Sequence, residues 1–134
     1  MNSTFRRSER LRSIRTIRML YERGITGYLY PFRFSYLRIG ECSPDTPPAE
    51  ILVAVSRRRF ARAVDRNLIK RRVREAYRLN KSILCEPLSE ENIPLAVMIT
   101  YIADGIEPWE VIEKKIVLLL QEIANRALAQ QARV

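Results

Sequence analysis

The sequence predicts one α+β domain over residues 1–134, with elements in the order α-β-β-β-α-β-α and helices carried on a four-stranded mixed sheet. Three observations predict it. Residues 51–55 and 94–102 are short, almost unbroken apolar runs, the pattern of strands buried on both faces. Between them Val64, Leu68, Ile69, Val73 and Ala76 recur at helical spacing, so the three segments form a βαβ unit whose strands pair in parallel. Upstream, Phe32, Phe34 and Tyr36 alternate with Arg33, Ser35 and Leu37 at the period of a strand. With 134 residues, 47% of them hydrophobic, the chain fills one core and needs no second.

Residues 1–7 are polar and basic and read as a loose arm. Residues 8–23 follow as a helix, with Ser8 placed to cap its start and Gly24 to stop it. Leu11, Ile14, Ile17, Leu20 and Tyr21 make its buried face, while Arg12, Arg15, Arg18 and Arg23 add positive charge. Residues 24–40 are extended, with the rings of Phe32, Phe34 and Tyr36 on one strand face. Two readings of those rings stay open: core packing, or a groove in which single-stranded bases stack for about 1–3 kcal/mol each. Arg33 and Arg38, interleaved with them, favour partial exposure. The Pro-rich stretch 41–50 is a turn region, the basic helix runs to about Asn80, and 89–92 is a polar connection. Asp104-Gly105 is a turn, and Pro108 opens a last helix as its first residue. Trp109, Ile112, Ile116, Leu119, Leu120, Ile123 and Leu128 form its core stripe, with Glu110, Glu113 and Glu122 turned to solvent.

Charge is concentrated on the central element. Residues 56–81 carry eleven Arg or Lys against Asp65 and Glu75, a net +9 that equals the charge of the whole chain. At about 100° per residue, Arg66, Asn67, Lys70, Arg71, Arg74 and Arg78 share one arc of the helix, opposite the apolar arc. The apolar arc packs on a core, which leaves the cationic arc displayed as a ridge about 20 Å long. Like charges four residues apart repel, so the arrangement is a cost until an anion occupies it. Guanidiniums grip phosphate through paired hydrogen bonds and stack on exposed bases. Arg57, Arg58 and Arg59 stand in a loop at the mouth of the helix, where they reach phosphates. The partner implied is a nucleic acid.

The chain has no histidine, which removes the commonest general base, the Ser-His and Cys-His nucleophile pairs and the usual zinc ligands. It has no phosphate-binding or dinucleotide-binding glycine loop, and its carboxylates are scattered, so neither a catalytic set nor a metal site is expected on the protein itself. Cys42 and Cys85 lack CxxC spacing and read as reduced thiols. No apolar stretch reaches the length of a membrane span, and the N-terminus lacks the apolar block of a secretory signal. A cytoplasmic location without a membrane partner is expected.

The spacing Arg66-Asn67-x-x-Lys70-Arg71-x-x-Arg74-Glu75, preceded by Arg62-Ala63-Val64 and by the apolar lead-in 51–56, resembles the RNR signature of the bacterial ribonuclease P protein component. The resemblance covers roughly residues 9–130 and is strongest over 51–78. One departure is visible: family members usually have a glycine in the turn before the helix, whereas residues 57–61 here contain none and form a turn one residue longer. The resemblance implies a left-handed crossover in the βαβ unit, a fold shared with a ribosomal protein domain. It implies a protein subunit of ribonuclease P that binds the catalytic RNA and the 5′ leader of precursor tRNA. The RNA subunit would hold the active site and its Mg2+, and the protein, monomeric in the holoenzyme, would be non-catalytic. RNA-binding residues would be Arg57, Arg58, Arg59, Arg62, Arg66, Asn67, Lys70, Arg71, Arg74 and Arg78. A leader groove between the first helix and the sheet would be lined by Ile17, Tyr21, Phe32, Arg33, Phe34 and Tyr36, with Ile17 where the family often has an aromatic residue. The rival is a stand-alone RNA-binding or ribosomal protein, which needs the basic helix and not the groove. A DNA-binding helix is a weaker third reading, because no helix-turn-helix spacing accompanies Arg66 to Arg74.

Overall fold

The computed structural model describes residues 5–40 and 46–132. Most of the expected arm, part of the Pro-rich turn region and Cys42 lie outside the described residues. Ile25–Leu29 (β1) and Phe32–Arg38 (β2) form an antiparallel hairpin closed by Tyr30-Pro31, whose peptide bond is cis. Ala49–Val55 (β3) and Leu95–Tyr101 (β4) pair in parallel, and β4 also pairs antiparallel with β2, so the sheet order is β1-β2-β4-β3. This is the four-stranded mixed sheet expected, with β4 internal and buried along nearly its whole length. Parallel neighbours need a long crossover. It is made by Ala63–Asn80 (α2) and Ser82–Glu90 (α3).

Strand alternation divides the sheet into two faces. On one, Phe32, Phe34 and Tyr36 join Ile51, Val53, Val97 and Ile99 beneath α2, α3 and Trp109–Ala132 (α4). Ile69, Val73, Ala76 and Tyr77 of α2 and Ile112, Ile116, Leu119, Leu120 and Ile123 of α4 are fully buried there. On the opposite face Ile14–Arg23 (α1) packs Leu20 and Ile17 over Leu37, Leu52, Ala96 and Met98.

Three elements differ from expectation. The first helix starts at Ile14 rather than Ser8, because the Ser13 hydroxyl accepts the Thr16 amide at 3.2 Å and so supplies the cap. Leu11 is buried without being helical: its amide donates to the Ile51 carbonyl at 2.9 Å, beside β3. Ile14 and Tyr21, expected in the buried face, are 75% and 69% exposed. The second element is α3, which stands where no helix was expected. Proline in a helix interior costs a hydrogen bond, and Pro87 marks the segment as broken. Leu84 and Leu88, one turn apart and both fully buried, supply the packing that offsets it. In α2 the buried line is rotated from the expected arc, for Val64 is exposed and Tyr77 is enclosed. Among the described residues no helix is long and apolar enough to cross a membrane.

Candidate nucleic-acid interface

The N-terminal segment is fastened to α2 and enlarges its cationic face. Lys81 donates from Nζ to both Glu9 carboxylate oxygens at 2.9 and 3.0 Å. Phe5 meets Tyr77 edge-on, with ring centroids 5.4 Å apart, and the Arg10 guanidinium lies 5.1 Å over the Phe5 ring. Residues 5–7, expected in a loose arm, are therefore placed. Phe5, Arg10, Asn67, Arg71, Arg74 and Arg78 line a groove of about 430 Å³. The pKa of Arg74 is lowered, first by burial and then by the charge of Arg10. Glu75 is the acidic group in this groove, and Arg78 grips it from Nε at 3.1 and 3.2 Å and lowers its carboxyl pKa. Asn67 and Arg71 are exposed, and Lys70 is half-buried.

At the entry to α2, the turn 57–61 is held without glycine. The Ser56 hydroxyl accepts the Arg58 and Arg59 amides at 3.1 and 3.4 Å, the Ser56 carbonyl accepts the Phe60 amide at 3.0 Å, and the Phe60 ring is buried against Tyr101. No turn residue needs the left-handed region, since among the described residues positive φ occurs only at Gly40 and Asn92. The ten expected RNA-binding residues thus divide. Arg57, Arg58, Arg59, Arg62, Asn67 and Arg71 are exposed, with Arg62 3.9 Å from Asp65. Arg59 donates to the Ile102 carbonyl and to Asp104 at 3.1 Å, and Arg66 donates to the Phe60 and Ala61 carbonyls.

The sheet corrects the expected leader groove. Phe32, Phe34 and Tyr36 are at most 1% exposed, because they point to the face that α2 and α4 cover. They do not face the open side of the sheet, where α1 lies. The opposite face carries Arg33, and pairing places Tyr28, Arg33, Thr100 and Ala54 in one row across all four strands, beyond the part that α1 covers. That row is about 14 Å wide at ordinary strand spacing. Tyr28 and Tyr30 are 69% and 62% exposed, as is Tyr21 on α1, while Ile17 is half-buried against Leu11 and Leu20. Sequence reasoning missed Tyr28 and Tyr30. Their signal lies in β1 itself, where Ile25, Gly27 and Leu29 take the inward phase and Thr26 and Tyr28 the outward one.

A cationic helix groove and an open, tyrosine-bearing sheet face on one α+β domain define a polyanion-binding protein. The Ribonuclease P family model matches residues 5–123, and the chain belongs to that family, whose work is tRNA processing. The ribonuclease P protein component of Porphyromonas gingivalis is 36% identical over 119 residues, which span 89% of this chain and 85% of that protein. That of Chlorobaculum tepidum is 36% identical over 89 residues, 62% of this chain and 58% of its own length. Among solved structures, the ribonuclease P protein of Thermotoga maritima superposes with a TM-score of 0.66 at 20% identity, covering 85% of this chain and 96% of its own. That of Staphylococcus aureus gives 0.64 at 18%, covering 87% and 94%. At such identities the likeness speaks for the fold.

Proposed function

We propose that this chain is the ribonuclease P subunit that binds the catalytic RNA and the 5′ leader of precursor tRNA and so promotes endonucleolytic removal of the leader. The observation that carries this reading is the pairing of two surfaces on one small domain, the Arg-rich groove of α2 and the open row Tyr28-Arg33-Thr100-Ala54. The first suits the catalytic RNA, since guanidiniums there neutralise phosphates. The second suits a single strand, since exposed tyrosines offer bases a stacking surface beside Arg33. Exposed Tyr21 and half-buried Ile17 stand on α1, which packs on the same sheet face as that row. Two RNAs that repel one another then share one cationic adaptor, which lowers the magnesium they need.

The active site in this reading belongs to RNA, and the protein acts by binding, as a monomer in the bacterial cytoplasm. Among the described residues no three His, Cys, Asp or Glu side chains gather in a way that fits a metal ion. In this reading the Mg2+ of the ribonucleoprotein is held mainly by RNA. The test is cleavage of precursor tRNA by a ribonuclease P RNA at low magnesium, with and without this protein. Rescue of the rate with cleavage at the mature 5′ end is expected. RNA binding without rescue, with the cognate RNA present, would favour a stand-alone RNA-binding protein.

A further inference from the structure

Arg66 opens the basic arc of α2, yet its guanidinium is turned back along the chain. One terminal nitrogen, Nη1, donates to two successive carbonyls, those of Phe60 and Ala61, both at 2.8 Å. The two N–H groups of that nitrogen are thereby used, and the end-on edge formed by both terminal nitrogens is no longer free to grip a phosphate. The carbonyls belong to the last two residues of the turn 57–61. Its first half is tied by Ser56 and by the bond from Arg59 to Asp104 at 3.1 Å. Its second half has the buried Phe60 ring and Arg66. Arg57 and Arg58 project from this turn and are exposed. They directly follow β3, at the strand ends that also carry Ala54 and Thr100 of the open row.

We infer that Arg66 is a positioning residue rather than an RNA ligand: it clasps the Phe60 and Ala61 carbonyls and so holds the turn in the shape that presents Arg57 and Arg58 to RNA. The identity of that RNA rests on the function proposed above, whereas the clasp does not. A charged donor bound to two carbonyls is stronger than a neutral one, and alanine at this position leaves both carbonyls to water and the turn free to move. Lysine restores a single charged donor and recovers part of the restraint.

The experiment has two arms on the full chain, with circular dichroism melts to show that each variant folds. In the first, limited trypsin digestion is mapped by mass spectrometry. Cleavage after Arg57 and Arg58 is expected to quicken several-fold in Arg66→Ala and less in Arg66→Lys. Unchanged cleavage in Arg66→Ala overturns the clasp. In the second, binding of ribonuclease P RNA is measured against salt for Arg66→Ala alone and in an Arg57→Ala/Arg58→Ala background. Coupled residues are non-additive, so Arg66→Ala is expected to weaken binding several-fold in the parent and to change neither affinity nor salt slope in that background. An equal loss in both, with the slope falling by about one each time, would make Arg66 a phosphate ligand and sink the proposal. If the parent chain binds no ribonuclease P RNA, the functional reading fails, and the trypsin arm still decides the clasp.

Discussion

Tyr28 lies directly across from Arg33 in the β1–β2 pairing, on the sheet face opposite α2 and α4. One residue further along β2, Phe34 points the other way into the core. The two faces therefore separate by mutation. Tyr28→Ala is expected to leave the melting temperature near that of the parent while lowering the preference for precursor tRNA over leaderless tRNA by about 1–3 kcal/mol, the worth of a stacked base. Phe34→Ala is expected to cost about 3–5 kcal/mol of folding stability. Equal affinities for the two RNAs in the parent protein, or unchanged discrimination in Tyr28→Ala, would remove Tyr28 from the groove.

Gly27 is the inward residue between Ile25 and Leu29, paired with Phe34. A Cβ there would stand 2.4 Å from Phe34 Cζ and 2.8 Å from an Arg126 terminal nitrogen, whose guanidinium lies 5.4 Å over the same ring. Gly27→Ala is expected to destabilise by about 1–3 kcal/mol through overpacking. Urea titration should show a lower midpoint with an unchanged slope. A midpoint equal to the parent's would mean that ring and guanidinium move aside freely.

What the sequence made legible followed periodicity and charge. The parallel strand pair, the apolar stripe of α4 and the +9 stretch all emerged from residue spacing. Alternation in β2 was read correctly, but alternation alone does not say which face the helices cover, and Arg33 and Arg38 drew the aromatic phase outward. Contacts distant in sequence decide it: α4 returns over Phe34 and Tyr36 from more than 80 residues away. Arg66 was illegible for a related reason, since helical periodicity gives the arc of a residue and not the carbonyls its long side chain reaches. Arg10 was illegible as a groove residue because it reaches α2 through the Glu9–Lys81 and Phe5–Tyr77 contacts.

Arg10 and Arg71 line the same groove from different elements. If both neutralise phosphates, Arg10→Ala and Arg71→Ala should each weaken binding of ribonuclease P RNA and each lower the salt slope by about one. Arg10→Ala should weaken binding even though it removes a charge that lowers the Arg74 pKa. A slope unchanged by Arg10→Ala would confine the RNA contact to α2.

Alkaline pH should loosen the fold through one buried pair. Tyr77 of α2 and Cys85 of α3 lie together, with Oη and Sγ 3.4 Å apart. Burial pushes both pKa values up, that of Tyr77 well above its ordinary value and further raised by Cys85 and Glu9. An acid whose folded pKa is raised gives up its proton more readily when unfolded. Its contribution to stability is full below the unfolded pKa and is lost as pH rises toward the folded one. Free thiols ionise near about 8.5 and tyrosines near about 10, so stability is expected to hold from pH 7 to about 8 and to fall above that. Cys85→Ala should flatten the first part of the decline and Tyr77→Phe the later part. Tyr36 and Tyr101, also raised by burial, keep some slope in both variants. Urea midpoints measured for the three proteins from pH 7 to about 10.5 decide it, and parallel declines in all three would show that other groups drive alkaline unfolding.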